Sequence, residues 1–186
     1  MNWRLLVIVL VGLVLLGLLG WLLIGGGSRP APREEGAGIG PVPTPSPAPH
    51  QQVVLLFTGT DGQLHPELRA VPLPQELEAR VRVVLGELLK GPTAGLLPVV
   101  PYAAELNAVY LDGAGNAFVD LTAPPKPLTG SNTELVLAYG VVDSVLLNCP
   151  ELHAVQILFG GREVQTLTGH LDLSHPLVLN KGFIGA

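Results

Sequence analysis

A run of twenty uncharged residues near the N-terminus, Leu5 to Ile24, constrains this chain more than any other feature of its sequence. As a helix that rises about 1.5 Å per residue, the run would span about 30 Å, which is the thickness of a bilayer's hydrocarbon core. A secretory signal peptide has a shorter apolar region of about 7–15 residues. We therefore predict a transmembrane anchor over residues 1–24, with cleavage near Gly25 to Gly27 as the alternative.

Residues 25–50 have the composition of a linker. Thirteen of these twenty-six residues are Gly or Pro, and proline takes every second position from Pro41 to Pro49. Such a segment favours polyproline II, in which nine residues reach roughly 28 Å. The linker is therefore expected to hold the body, residues 51–180, away from the membrane. Because only a short tail precedes the anchor, we expect the body outside the cytoplasm; the Lys and Arg counts do not decide the orientation.

Charge and cysteine content exclude some classes of function. The formal net charge is −5, and after residue 50 there are thirteen acidic and seven basic residues, with no cluster of Lys or Arg. Nucleic acid is therefore not an expected partner. The one cysteine, Cys149, is expected to be a buried thiol. The chain has no P-loop, no GxSxG and no Rossmann glycine pattern, so we expect neither a cofactor nor enzymatic activity.

Hydrophobic patterning of the body predicts the element order β-β-α-β-β-α-β-β. The predicted strands are apolar or alternating runs bounded by turn residues: Val53–Phe57, Gln63–Val71, Leu106–Leu111, Ala117–Leu121 and a final pair around the turn Gly160–Gly161. The first predicted helix lies between Leu73 and Pro92, stops at Gly91 and Pro92, and has one apolar face made of Leu77, Val81, Val84, Leu85 and Leu88. The second predicted helix runs from Asn132 to Asn148. This order predicts an α+β fold with both helices on one face of a mixed or antiparallel sheet, then a tail over residues 181–186.

The second predicted helix begins with a capping signal. Ser131 and Glu134 match the capping box S-x-x-E, in which each side chain would satisfy an N–H group at the helix start. The alternative is that the loop before Ser131 presents those N–H groups to an anion. The helix is apolar nearly all round, so we expect it to be buried on most sides. Asp120, at the end of a strand, is interpreted as a turn acceptor rather than a general base.

The stretch GHLDLSH, residues 169–175, contains three side chains of metal-ligand type, His170, Asp172 and His175. On a strand, His170 and Asp172 would share one face and His175 would point to the other. Two ligands on one face are fewer than the three that a catalytic zinc site needs. A metal-dependent hydrolase is therefore the weakest of the hypotheses, and no metal is expected.

Six stretches in order along the body resemble the GerMN domain family of sporulation and spore germination. The stretches are LLFTGTDGQLHPELRAV, LGELLKGP, LPVVP, NAFVDLT, GSNTELVLAYGVVDSVL and VQILFGGREVQTLTGHLDLSHPL. Their order and spacing over residues 53–177 carry the resemblance. It implies an exported domain similar to the ring-building motif of secretion-like assemblies, without established catalytic residues. The positions that we interpret as a structural motif of the family are Gly91, Pro92, Asp120, Ser131, Glu134, Gly169, His170 and Asp172.

Within that resemblance, the first five residues of GHLDLSH, residues 169–173, are interpreted as the motif that closes the domain. We expect Gly169 to make a turn, Leu171 and Leu173 to pack inward, and His170 and Asp172 to form local hydrogen bonds. The chain differs from lipid-anchored relatives because no cysteine lies directly after its apolar run, where a lipid would be attached. The sequence thus predicts a single-pass membrane protein whose extracytoplasmic domain is a non-catalytic interaction or assembly module of the cell envelope. Envelope proteins, or a second copy of the chain, are the expected partners; a peptidoglycan or small-ligand module is the alternative.

Overall fold

The computed structural model describes residues 50–93 and 95–185, which form an α+β fold with two helices and mixed sheet pairing. In chain order, the elements are β1 His50–Thr58, β2 Leu64–Pro72, α1 Leu77–Leu89, β3 Leu106–Leu111, β4 Asn116–Leu121, α2 Ser131–Asn148, β5 Ala154–Phe159 and a 3₁₀ turn at Lys181–Phe183. The predicted α+β class and both predicted helices are confirmed. The predicted anchor at residues 1–24 and the linker, apart from His50, lie outside the described residues.

The strands form two sheets, so the prediction of a single sheet is wrong. In the first sheet, β1 and β2 are antiparallel, with His50 opposite Pro72 and Thr58 opposite Leu64. In the second sheet, β4 lies between β3, which is antiparallel to it, and β5, which is parallel to it. Each helix contacts strands of both sheets: α1 contacts β3 and β1, and α2 contacts β1 and β5.

Helix α2 takes the place of a third strand along the free edge of β1. The backbone N–H of Leu56 donates to the Ser144 hydroxyl at 3.0 Å. The Asn148 amide accepts from the N–H of Val54 at 2.9 Å and donates to the Val54 carbonyl at 2.7 Å. Ser144 and Asn148 are four residues apart and therefore lie on one face of the helix. Their hydrogen bonds satisfy backbone groups that would otherwise be buried without partners.

The core lies between the helices and the sheets. In α1, the predicted apolar face is confirmed, because Val81, Val84, Leu85 and Leu88 are all buried. In α2, the apolar residues are buried on most sides, as predicted, and the buried set also includes the polar Asp143. Gly140 of α2 packs so closely that an added Cβ would lie 2.6 Å from Cγ1 of Val99. The two helices thus fill the interior as the hydrophobic pattern predicted.

The predicted strand after Gly160–Gly161 is absent from the described structure. Both glycines have positive φ and form a turn, yet the residues from 162 to 176 form a loop rather than a returning strand. The free side of β5 instead forms a bridge with Leu177, whose N–H and carbonyl each bond Val155 at 2.9 Å. The element order is therefore β-β-α-β-β-α-β. At the end of the predicted strand, the N–H of Leu167 donates to a buried carboxylate described below.

Residues 181–185, within the segment expected as a tail, contact the folded domain, and Ala186 lies outside the described residues. Ile184 forms a parallel bridge with Leu64, and the N–H of Gly185 donates to the Leu64 carbonyl at 2.7 Å. The ring of Phe183 lies 6.0 Å from that of Tyr139 on α2. Across residues 50–93 and 95–185, none of the helices is long and apolar enough to cross a membrane.

Candidate functional site

The side chain of Glu134, in the first turn of α2, is fully buried beneath a loop of residues 165–175, which we call the closing loop. Six groups of this loop donate hydrogen bonds to the carboxylate at 2.6 to 3.1 Å: the hydroxyls of Thr166 and Thr168, and the backbone N–H groups of Leu167, Thr168, His170 and Leu171. Each carboxylate oxygen accepts three of them. One side chain thus organises the path of six consecutive residues.

These hydrogen bonds keep Glu134 ionised although it is buried. Burial alone would raise the pKa of its carboxyl group, because it disfavours the charged form. The hydroxyls of Thr166 and Thr168 and the N–H groups of Leu167 and His170 outweigh that effect and lower the pKa from 4.5 to about 2. A buried negative charge therefore lies under the closing loop at neutral pH.

The predicted capping box at Ser131 and Glu134 is wrong. The N-cap of α2 is Gly130, with φ of 92°, and no side chain accepts a hydrogen bond from the first turn. Glu134 cannot reach back to the N-cap because both of its oxygens are occupied by the closing loop. The sequence identified Glu134 as a helix-start residue but not its partner, which lies more than thirty residues further along the chain.

His170 lies on the closing loop with 52% of its side chain exposed. Its Nδ1 atom is 3.0 Å from the Thr168 hydroxyl and 3.9 Å from Oε2 of Glu134. Gly169, which precedes it, has a φ of 89°, a conformation that favours glycine. His170 is thus held over the buried carboxylate while its ring faces solvent.

Asp172 and His175 lie on the same loop as His170, but the three side chains do not form a metal-binding cluster. Oδ1 of Asp172 accepts from the N–H of Ser174 at 2.9 Å and from its hydroxyl at 2.6 Å. Nδ1 of His175 is 3.6 Å from Oδ2 of Asp172, and both side chains are more than half exposed. Within the described part of the chain, no three His, Cys, Asp or Glu side chains are placed to hold a metal ion.

An open cavity of about 330 Å³ lies on the closing loop. Its walls include Gln165, His170, Leu171 and Asp172, and within residues 50–93 and 95–185 no Lys or Arg lines it. Of the three leucines of the loop, Leu173 is buried in the core, and Leu167 and Leu171 are partly buried and pack against it. The loop therefore presents polar side chains outward and apolar side chains inward.

The remaining motif residues lie at turns away from this loop. Asp120, at the end of β4, is buried and accepts from the N–H of Gly161 at 2.7 Å. Gly91, with φ of 84°, follows the C-cap of α1 and precedes Pro92. The structure thus joins Glu134, Gly169, His170 and Asp172 in one site and leaves these three residues at separate positions.

Two notable charged residues were not singled out from the sequence. Arg69 on β2 donates to Glu67, to the Glu87 carboxylate, and to the carbonyls of Glu87 and Gly91 at the end of α1. Asp143 is fully buried in α2, and burial raises the pKa of its carboxyl group to about 6. The signal for Asp143 was visible, because it is a charge within an apolar helical run. Arg69 offered no signal, since alternating charges are common on exposed strands.

Comparison with known families identifies the domain. A family profile described as Germane, sporulation and spore germination, matches residues 54–165. That range is more than half of the chain and runs from within β1 to beyond β5, with both helices and Glu134 inside it. The chain belongs to the Germane family. The matched range ends where the closing loop begins, so the Germane match includes the buried carboxylate but none of the residues that donate hydrogen bonds to it.

Solved structures share the Germane fold. One is a protein of Clostridium perfringens described as a lipoprotein, with 20% identity and a TM-score of 0.50; the match covers 70% of this chain and 88% of that one. Another is the tandem GerMN domains of the sporulation protein GerM from Bacillus subtilis, with 15% identity and a TM-score of 0.52; it covers 69% of this chain and 46% of that one. No protein with a curated description matches. At these identities, the likeness concerns the fold.

Proposed function

We propose that this Germane-family chain is a single-pass membrane protein whose extracytoplasmic domain is a non-catalytic interaction or assembly module of the cell envelope. The family description adds a role in sporulation or germination to the proposal. The lipoprotein description of the Clostridium perfringens protein supports an envelope location. The uncharged run Leu5 to Ile24 supports the membrane anchor.

The observation that carries the proposal is the construction of the closing loop. Six hydrogen bonds to Glu134 fix its backbone from beneath, while His170, Asp172 and His175 remain more than half exposed. A loop held in this way loses little conformational entropy when a partner binds. Exposed polar side chains on a rigid loop are therefore suited to recognition of another molecule.

Crosslinking in cells tests the proposal. The full chain carrying an affinity tag is treated with a membrane-impermeant crosslinker and purified from the membrane fraction. We expect crosslinked species that contain either a discrete envelope protein or a second copy of the chain. A protein that stays monomeric at high concentration and recovers no envelope protein would contradict the proposal.

Peptidoglycan or a small ligand remains the alternative from the sequence. In the sequence, the reason for it was that the loop before Ser131 presents backbone N–H groups to an anion. In the structure no side chain caps the N–H groups at the start of α2, so this reason still holds. Binding of the purified full chain to isolated cell wall, measured by co-sedimentation, would favour this alternative. Absence of co-sedimentation together with crosslinking to a protein would favour the interaction module.

A further inference from the structure

The hydroxyl of Thr168 lies between an acceptor and an imidazole nitrogen, and this fixes the direction of both hydrogen bonds. The hydroxyl carries one proton, and an ionised carboxylate can only accept. Thr168 Oγ1 lies 2.8 Å from Oε2 of Glu134, so its proton points to the carboxylate. The hydroxyl oxygen must then accept from Nδ1 of His170, at 3.0 Å. The chain of donors runs from His170 through Thr168 to Glu134.

This direction determines which imidazole nitrogen is free. In a neutral imidazole, one ring nitrogen donates and the other accepts. Because Nδ1 of His170 is the donor, Nε2 is left as an acceptor. The ring is more than half exposed and forms part of the wall of the 330 Å³ cavity on the closing loop. Glu134 and Thr168 thus orient a basic nitrogen toward solvent, as partners of a histidine ring commonly do.

The charge around this nitrogen is negative. The ionised carboxylate of Glu134 lies 3.9 Å behind the ring. Asp172, in the same cavity wall, has a lowered pKa because the hydroxyl and N–H of Ser174 donate to it, so it too is ionised. Its Oδ2 atom lies 3.6 Å from Nδ1 of His175. Among the described residues that line the cavity there is no Lys or Arg, so no positive side chain there offsets the two carboxylates.

We infer that Glu134 and Thr168 hold His170 as the Nδ1–H tautomer, so that His170 Nε2 and the Asp172 carboxylate together receive a lysine or arginine side chain of a partner protein. The inference rests on the proposed function, an interaction module, and names the chemistry of its partner. A cationic side chain matches the two acceptors and forms charge-assisted hydrogen bonds with them.

The tautomer of His170 is the first test. A long-range nitrogen–proton correlation spectrum of the full chain, labelled with ¹⁵N and purified in mild detergent at pH 8, assigns the protonated nitrogen of each histidine. We expect Nδ1–H for His170 in the unaltered chain and a shift toward Nε2–H in Thr168→Val, which lacks the hydroxyl. If His170 in the unaltered chain is the Nε2–H tautomer, that result alone overturns the inference, whatever the variant shows.

Titration with small probes is the second test. We expect Nα-acetyl-arginine amide or Nα-acetyl-lysine amide to move the His170 signals in a saturable way, and Nα-acetyl-citrulline amide, the neutral counterpart of arginine, to bind about tenfold more weakly. Asp172→Asn should weaken the arginine probe by a similar factor, with Asp112→Asn on a distant turn as the matched control. Equal binding of citrulline and arginine, or binding of N-acetylglucosamine alone, overturns the inference.

The outcomes of these tests separate a failure of the cation contact from a failure of the proposed function. If crosslinking recovers the same partner from the unaltered chain and from His170→Ala, the interaction module stands and this contact is wrong. If crosslinking recovers no partner, the proposed function fails, while the tautomer and the probe titration still decide whether the cavity accepts a cation.

Discussion

Replacement of Glu134 by Gln tests the role of the buried carboxylate in the fold. The amide has the size of the carboxyl group, but one of its two oxygen positions becomes an NH₂ group. Two backbone N–H groups and one threonine hydroxyl converge on each oxygen, so in either orientation the NH₂ group faces two N–H donors, while the hydroxyl can rotate to accept from it. The variant loses two N–H···O hydrogen bonds and gains donor-to-donor contacts without a change in volume.

The magnitude follows from the pKa of Glu134. Its value falls from 4.5 to about 2 on folding, and each pKa unit corresponds to about 1.4 kcal/mol, so the ionised form stabilises the fold by about 3 kcal/mol. A lowered folded pKa means that this contribution is complete above the unfolded pKa, near 4.5, and is lost as pH falls toward 2. With the unpaired donors added, we expect Glu134→Gln to lower the free energy of unfolding by about 3–5 kcal/mol at pH 7.

Urea unfolding of the full chain in mild detergent, followed by circular dichroism, measures this difference at pH 7 and at pH 3. The difference between the unaltered chain and Glu134→Gln should shrink at pH 3, because the unaltered chain has by then lost part of the contribution. Glu78→Gln is the matched control: Glu78 pairs with Arg82 on the surface of α1, and its loss should cost less than about 0.5 kcal/mol. A cost of Glu134→Gln below about 1 kcal/mol at pH 7 would refute the reasoning.

Three further substitutions test other contacts by the same unfolding measurement. Arg69→Met removes the hydrogen bonds to Glu67, Glu87 and the end of α1 and should lower the free energy of unfolding by about 3–5 kcal/mol. The control Arg82→Met, at an exposed ion pair, should lower it by less than about 1 kcal/mol, and equal effects would refute the role of Arg69. Asp143→Asn should stabilise the chain by about 1–3 kcal/mol at pH 8 and little at pH 4. The pKa of the Asp143 carboxyl group is raised on folding, so the stability of the unaltered chain falls as pH rises through about 6; destabilisation by the substitution at pH 8 would contradict this. Gly140→Ala should cost about 1–3 kcal/mol, since its Cβ would lie 2.6 Å from Val99; a gain from helix propensity would contradict the close packing.

The elements that could be predicted from the sequence are those with local signals. The alternation in β3 and β4, the apolar face of α1 and the Gly91–Pro92 stop are properties of neighbouring residues, and each lies where it was predicted. The division into two sheets was not predictable in this way. Ser144 and Asn148 of α2 occupy the edge of β1 with their hydrogen bonds, and these contacts join residues about ninety positions apart in the chain.

The candidate site shows the same limit. For His170 and Asp172 the sequence favoured local hydrogen bonds over metal binding, and in the structure His170 bonds Thr168 and Asp172 bonds Ser174. Glu134 was recognised as a feature of the helix start, and its true partners lie 32 to 37 residues further along the chain. No local pattern of residues reports contacts over such a separation.

The most direct test of the interaction module is site-specific photo-crosslinking from the closing loop in the native host. A benzoylphenylalanine is introduced at the exposed Gln165, beside His170, or at the exposed Ala114 on the β3–β4 turn as the control. The proposed function predicts a discrete crosslinked protein band from the Gln165 position that is absent from the Ala114 position. The same bands from both positions, or none from either, would contradict the claim that the closing loop is the surface that meets a partner.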